Sequence, residues 1–157
     1  MSESGSSAER RLQELGIELI PVPPPAGTYV HAVRTGSLLF SAGHVPFRPD
    51  GSPVCGKLGR ELDVDAGVEA ARLAALGLLY TLRQELGSLD RVARIVKLNG
   101  VVNATPDFPM HTRVVNGASD LLVAVFGENG RHARLAVGYA SLPFDIALEI
   151  EVIAEVR

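Results

Sequence analysis

The segment from Val64 to Leu86 constrains this chain more than any other. Val68, Ala71, Ala75, Leu79, Leu82 and Leu86 recur at the spacing of a single helix face. Asp63 offers an N-terminal cap and Gly87 a C-terminal stop, so the pattern predicts a helix over 64–86. Its apolar stripe must lie against something flat and apolar. A second amphipathic helix is expected over 107–126, with Met110, Val114, Ala118, Leu121, Leu122 and Val125 inward and Gly127 and Gly130 ending it.

The flat surface is supplied by strands. Residues 29–33 and 38–41 suit a hairpin closed by Arg34-Thr35-Gly36-Ser37, and further strands are expected over 95–103, 134–140 and 147–156. Ser141 to Asp145 forms the turn between the last two. The order ββαβαββ predicts an α+β fold in which both helices pack on one face of a mixed sheet. With 157 residues, 46% of them hydrophobic, the chain has room for one such domain. We place it at 21–157, behind an N-terminal extension of residues 1–20. There the serine-rich start to Ser7 is expected to be disordered and Ser7 to cap a short helix over 8–15. Pro21 to Gly27 reads as an extended connector, and the Pro- and Gly-rich stretch Pro46 to Arg60 as a surface loop able to cover a pocket.

The last strand says what lies on the other face. Leu148, Ile150 and Val152 point one way, and Glu149 and Glu151 the other. The polar side cannot be the helix-covered core. Self-association would bury it and place its carboxylates in clefts between subunits, so a cyclic homo-oligomer is expected.

Several function classes have no support. Lys plus Arg number 15 against 18 Asp plus Glu, a net charge of −3, which gives no field for a polyanion. Nucleic acid is therefore not an expected partner, and aromatics at 5% without tryptophan offer few stacking platforms. The one cysteine, Cys55, can build neither a disulfide framework nor a cysteine zinc site and has no partnered base. His31, His44, His111 and His132 lack metal-ligand spacing, so no metal is expected. Ser41-Ala42-Gly43-His44 is too short for a phosphate loop. No apolar run reaches membrane-spanning length and no export signal opens the chain, which leads us to expect no membrane association and a cytoplasmic location.

Two places could carry chemistry. Arg131, His132 and Arg134 gather cationizable groups where a strand begins; they would grip a small carboxylate in a bidentate manner, or equally form a solvated turn with Arg134 paired to a structural acid. Glu149, on a sheet face closed by another subunit, would have a raised pKa and serve as general acid or base, or else sit in an interface ion pair. If the last two strands pair directly, Glu149 stands opposite Gly138 with Arg134 roughly 13 Å away. Direct contact within one hairpin is then ruled out, and a ligand or a neighbouring chain must bridge the gap.

Together, Tyr29-Val30, Ser41 to Pro46, Arg94 to Gly100, Ala133-Arg134, Ala140 to Pro143 and Glu149 to Ala154 resemble the YjgF/YER057c/UK114 (RidA) family, of chorismate-mutase-like fold, over roughly 27–156. The stretches Val96 to Asn103 and Gly130 to Arg134 are more similar to its divergent branch, often labelled endoribonuclease. The resemblance implies a homotrimer with ligand clefts between subunits, no cofactor, and hydrolytic deamination of small reactive enamine or imine carboxylates. By position it implies that Arg134 grips the substrate carboxylate, Glu149 orients or activates water, Tyr29 stands at the cleft edge and Gly43 lines the site. The sequence departs from the archetype at Ala136 (usually cysteine), Pro106 (asparagine), Leu135 (serine) and His44 (glutamine), so the pocket has changed. His44 is a further candidate acid or base and Arg131 a further cation. Beside deamination stand two alternatives: non-catalytic binding of a 2-oxo acid or related metabolite, and the RNA cleavage or translation inhibition that the family's labels suggest.

Overall fold

The computed structural model describes residues 7–157; the expected disorder of the serine-rich start lies otherwise outside the described residues. Helix α1 (Ala8–Glu14) is capped by Ser7, whose hydroxyl accepts from the Arg10 amide. It is docked rather than loose: Leu12 is fully buried, and Glu9 takes two hydrogen bonds from Arg83 and one from the Leu89 amide.

The hairpin β1 (Ala32–Thr35) and β2 (Leu38–Ser41) turns on Gly36-Ser37, with Gly36 at φ +57° as a two-residue loop requires. Tyr29 and Val30, expected in the first strand, precede it. Helix α2 (Val64–Leu86) begins at Asp63, whose carboxylate accepts from the Ala66 amide, and ends at left-handed Gly87. Strand β3 (Val92–Asn103) is longer than expected at its start. Helix α3 (His111–Phe126) begins four residues later than the apolar pattern implied. Pro109 accounts for this, since it disfavours helical backbone at Phe108, and the Phe108 amide closes a turn onto the Thr105 carbonyl instead. Strands β4 (Ala133–Tyr139) and β5 (Leu148–Val156) complete the set.

The five strands form one mixed sheet in the order β1-β2-β5-β3-β4, in which β3 runs parallel to β4 and antiparallel to β5. The expected pairing of the last two strands is therefore wrong. β3 lies between them, and Glu149 stands opposite Val101 rather than Gly138. A direct turn from β4 to β5 would have left the long β3 at an edge; in the centre, Ile95, Leu98 and Val102 are fully buried beneath the helices.

Helices α2 and α3 cover one face. They approach closely at Gly117, where a Cβ would lie 2.0 Å from the Val68 carbonyl oxygen. Along β5 burial alternates, with Leu148, Ile150, Val152, Ala154 and Val156 against the helices. The other face carries Phe40, Lys97, Asn99, Leu135, Glu149, Glu151 and Ile153 and is not covered by any described element; on it Asn99 donates to Glu151 at 3.0 Å. Among the described residues no helix is long and apolar enough to cross a membrane.

Candidate functional site

Gly43 brings the site together. The segment after β2 continues the ladder beside β5: the His44 amide donates to the Ile150 carbonyl at 2.7 Å, and the Ile150 amide returns a bond to the His44 carbonyl at 3.0 Å. This seats Gly43 next to Glu149, and a Cβ on Gly43 would fall 2.0 Å from Glu149 Oε1. Glycine is needed here for close approach and not for its backbone angle.

Glu149 is half-buried, and no hydrogen bond or ion pair among the described residues involves its carboxylate. Burial, and secondarily the charge of Glu151, push its pKa above the ordinary carboxylate range. It lies on the wall of a cavity of about 680 Å³ that Tyr29, His31, Gly43, His44 and Glu149 also line. Among the described residues no lysine or arginine lines this cavity.

Tyr29 stands at the rim, half exposed, with its hydroxyl accepting from the Ala26 amide and its ring edge-on to His31 at 6.4 Å. His31 Nε2 lies 2.9 Å from the Pro23 carbonyl and must donate to it, which leaves Nδ1 as an acceptor without a partner among the described residues. The His44 ring is buried, with Nδ1 at 2.8 Å from the Ala42 carbonyl and Nε2 at 2.8 Å from Thr81 Oγ1. A carbonyl only accepts, so Nδ1 carries the proton and Nε2 accepts from the threonine hydroxyl. Burial brings the His44 pKa down to about 4, against a smaller opposing effect of the bond to Ala42, and the nearby His31 lowers it slightly further. Nδ1 thus braces the ring within the Gly43 segment, and Nε2 ties that segment to Thr81 on α2.

Arg134 is elsewhere. Its register partners in β3 and β5 are Leu98 and Val152, both buried under the helices, so it points to the helix side of the edge strand. There its guanidinium donates to Asn116 Oδ1 (2.7 Å), Ser119 Oγ (3.1 Å) and the Thr112 carbonyl (3.2 Å) on α3. Glu149 sits on the opposite face, two strands and three residues away, roughly 14 Å in the plane of the sheet. Arg131 is exposed and paired with Glu128 at 3.2 Å. His132 is held by Ser119 and the Gly130 carbonyl, with its pKa lowered by burial. One chain therefore gathers Tyr29, Gly43, His44 and Glu149 but not Arg134 or Arg131. Among the described residues no three His, Cys, Asp or Glu side chains cluster to hold a metal.

The loop over 46–60, expected to be able to cover a pocket, contributes Phe47 and Pro53 to this one, but sequence reasoning missed other parts of its wall. Val22, Pro23, Pro24 and Ala26, read as a connector, form one side, and Pro143 and Phe144, read as a turn, form the lip together with Ile146. The signal available was the apolar character of both segments, which a purely solvated linker does not need.

Comparison with known proteins gives this geometry its context. Residues 9–156 match the family model described as "YjgF/chorismate mutase-like, putative endoribonuclease". Protein TCP17 of Trypanosoma cruzi is 47% identical over 93% of this chain and 92% of its own length. The mitochondrial protein MMF1 of Saccharomyces cerevisiae is 30% identical over 84% of this chain and 77% of its own. Among solved structures, protein Atu1372 from Agrobacterium tumefaciens superposes with a TM-score of 0.86 at 43% identity, covering 96% of this chain and 94% of that one. TdcF of E. coli, solved with bound serine, superposes at 0.59 with 26% identity, covering 90% and 99%. With the α+β order, the five-stranded mixed sheet and the Gly43–Glu149 contact, these matches place the chain in the YjgF/YER057c/UK114 (RidA/RutC) superfamily.

Proposed function

We propose that the chain is a hydrolytic deaminase of small imine or enamine carboxylates, acting at clefts between the subunits of a homotrimer. The observation that carries this reading is the Glu149 carboxyl, unpaired, half-buried and pressed against the bare backbone of Gly43 in a cavity edged by Tyr29. A carboxyl with a raised pKa is a better base than an ordinary carboxylate and can both take and return a proton. Water adds to the carbon of the protonated imine, with Glu149 taking one of its protons and a neutral carbinolamine forming. Glu149 returns that proton to the nitrogen, the C–N bond breaks, and the Glu149 carboxylate accepts the hydroxyl proton as the carbonyl forms, so that the products are a 2-oxo acid and ammonium. An imine carbon is already electrophilic, so placing water and relaying a proton is sufficient.

The substrate carboxylate needs a cation that this cavity lacks. Arg134 of a neighbouring copy is the proposed source: it stands on an edge strand, and its fork retains donors beyond the three bonds it makes on α3. His44 acts as a positioning residue, holding Gly43 against β5. The solved relative with bound serine supports a cleft for a small amino-acid-like ligand. It also favours a second reading, binding of such a metabolite without turnover. RNA cleavage has little support, since a phosphate backbone calls for cations and the cavity wall carries none.

Ammonia release from imino acids generated in situ by an amino-acid oxidase tests the reaction. Wild type is expected to accelerate it, and Arg134→Ala and Glu149→Gln to abolish the acceleration. Mixing the two variants tests the shared cleft. Every mixed trimer regains one intact Arg134–Glu149 cleft of its three, so random 1:1 reassembly restores about a quarter of wild-type activity. Sites confined to one chain would recover none. Wild type that matches the uncatalysed rate for every imine while binding 2-oxo acids would hand the cleft to the second reading.

A further inference from the structure

Two consecutive non-glycine residues, Phe144 (φ 56°) and Asp145 (φ 55°), adopt left-handed backbone, a conformation disfavoured by about 1 kcal/mol or more for each. The fold holds them there. Asp145 Oδ1 accepts from the amide of buried Asn103 at 2.9 Å, the Asp145 carbonyl accepts from the Gly56 amide at 2.8 Å, and the Asp145 amide donates to the Leu142 carbonyl at 3.1 Å. The result is a phenyl ring 85% exposed at the lip of the Glu149 cavity. Strain maintained in order to expose a large apolar ring points to something that the ring contacts.

The cavity is two-ended. Glu149 and the bare backbone of Gly43 form its polar end; Pro24, Val45, Phe47, Ile146 and Phe144 form an apolar wall. A three-carbon imino acid would occupy only the polar end, because about 680 Å³ falls in the range that encloses considerably larger ligands. We infer that the substrates of this cleft are 2-imino acids with a bulky apolar side chain, branched aliphatic or aromatic, and that Phe144 is a specificity-determining residue packing on that side chain. This rests on the proposed deaminase reading for the imine, whereas the size preference itself follows from the wall.

The test is calorimetric titration of the full chain with 2-oxo acids of increasing side chain, from methyl through isobutyl to benzyl, in wild type, Phe144→Ala and Val45→Phe. Each methylene buried in the wall tightens binding about fourfold, so isobutyl is expected to exceed methyl by roughly 30- to 60-fold. Phe144→Ala should compress that range by at least tenfold and leave the methyl acid unchanged, and Val45→Phe should reject isobutyl and benzyl while the methyl acid still binds. Affinity independent of side chain overturns the inference. So does sedimentation showing that Phe144→Ala converts an oligomer to monomers, because the ring would then be a subunit contact. The two proposals fail separately: size-ranked binding with no imine turnover removes the deaminase and leaves the wall's preference standing. Turnover with the methyl imine preferred does the reverse.

Discussion

Acidification should destabilise this protein through one buried imidazole. His44 is neutral in the fold, with Nδ1–H donating to the Ala42 carbonyl and Nε2 accepting from Thr81, and its pKa falls from 6.5 to about 4. Above pH 6.5 the ring is neutral in both the folded and the unfolded chain and contributes no pH dependence. Between 6.5 and about 4 the unfolded chain takes up a proton that the folded chain refuses, so stability is lost as the pH falls; below about 4 both states are protonated and the loss levels off. The gap of about 2.5 pH units corresponds to about 3 kcal/mol. Urea unfolding at one fixed protein concentration, followed by circular dichroism from pH 7.5 to 4, would measure it against His44→Gln, whose amide can also donate to one partner and accept from the other. Other titrating groups cancel in that difference. Wild type is expected to lose about 3 kcal/mol more than the variant across the interval, with its His44 imidazole resonances still unprotonated at pH 5. A difference that stays constant with pH, or an imidazole titrating near 6.5, would refute the reasoning.

Three further outcomes follow from the geometry. Gly43→Ala places a methyl on the Glu149 carboxylate, which is the movable end of a side chain; melting temperature should hardly change while deamination, or 2-oxo acid binding, falls by an order of magnitude or more. Glu149→Gln should make the fold more stable at pH 7, because the raised pKa of Glu149 means that ionisation opposes folding above the usual carboxylate range. That gain should vanish below about pH 4, where the carboxyl is protonated in both states, and a denaturant midpoint that does not rise at pH 7 contradicts it. Gly117→Ala drives a methyl into the Val68 carbonyl, backbone that cannot step aside. The α2–α3 contact must open, at a cost of about 1–3 kcal/mol in denaturant unfolding.

Periodicity made most of the fold legible, because a 3.6-residue stripe and a two-residue alternation each have one way of being buried. Helix α2 ends where Asp63 and Gly87 put it, and the split of Glu149 and Glu151 from Ile150 and Val152 is the division between the open and covered faces. Strand order was not legible, because alternation along β4 and β5 says which face a residue takes but not which strand lies beside it. Between Ile95 and Val102 the apolar residues are broken by Lys97, Asn99 and Gly100, so β3 alternates as its neighbours do and nothing in its pattern marked it as the central strand. The site divides along the same line. Gly43 and Glu149 meet because the backbone after β2 pairs with β5, and the sequence motif carried both residues without their contact. Arg134 shares that motif, yet its alternation phase matches Leu98 and Val152 rather than Glu149. Under the proposed function, a cleft that used both residues would therefore have to be made from two chains, which is what mixing the Arg134→Ala and Glu149→Gln variants tests.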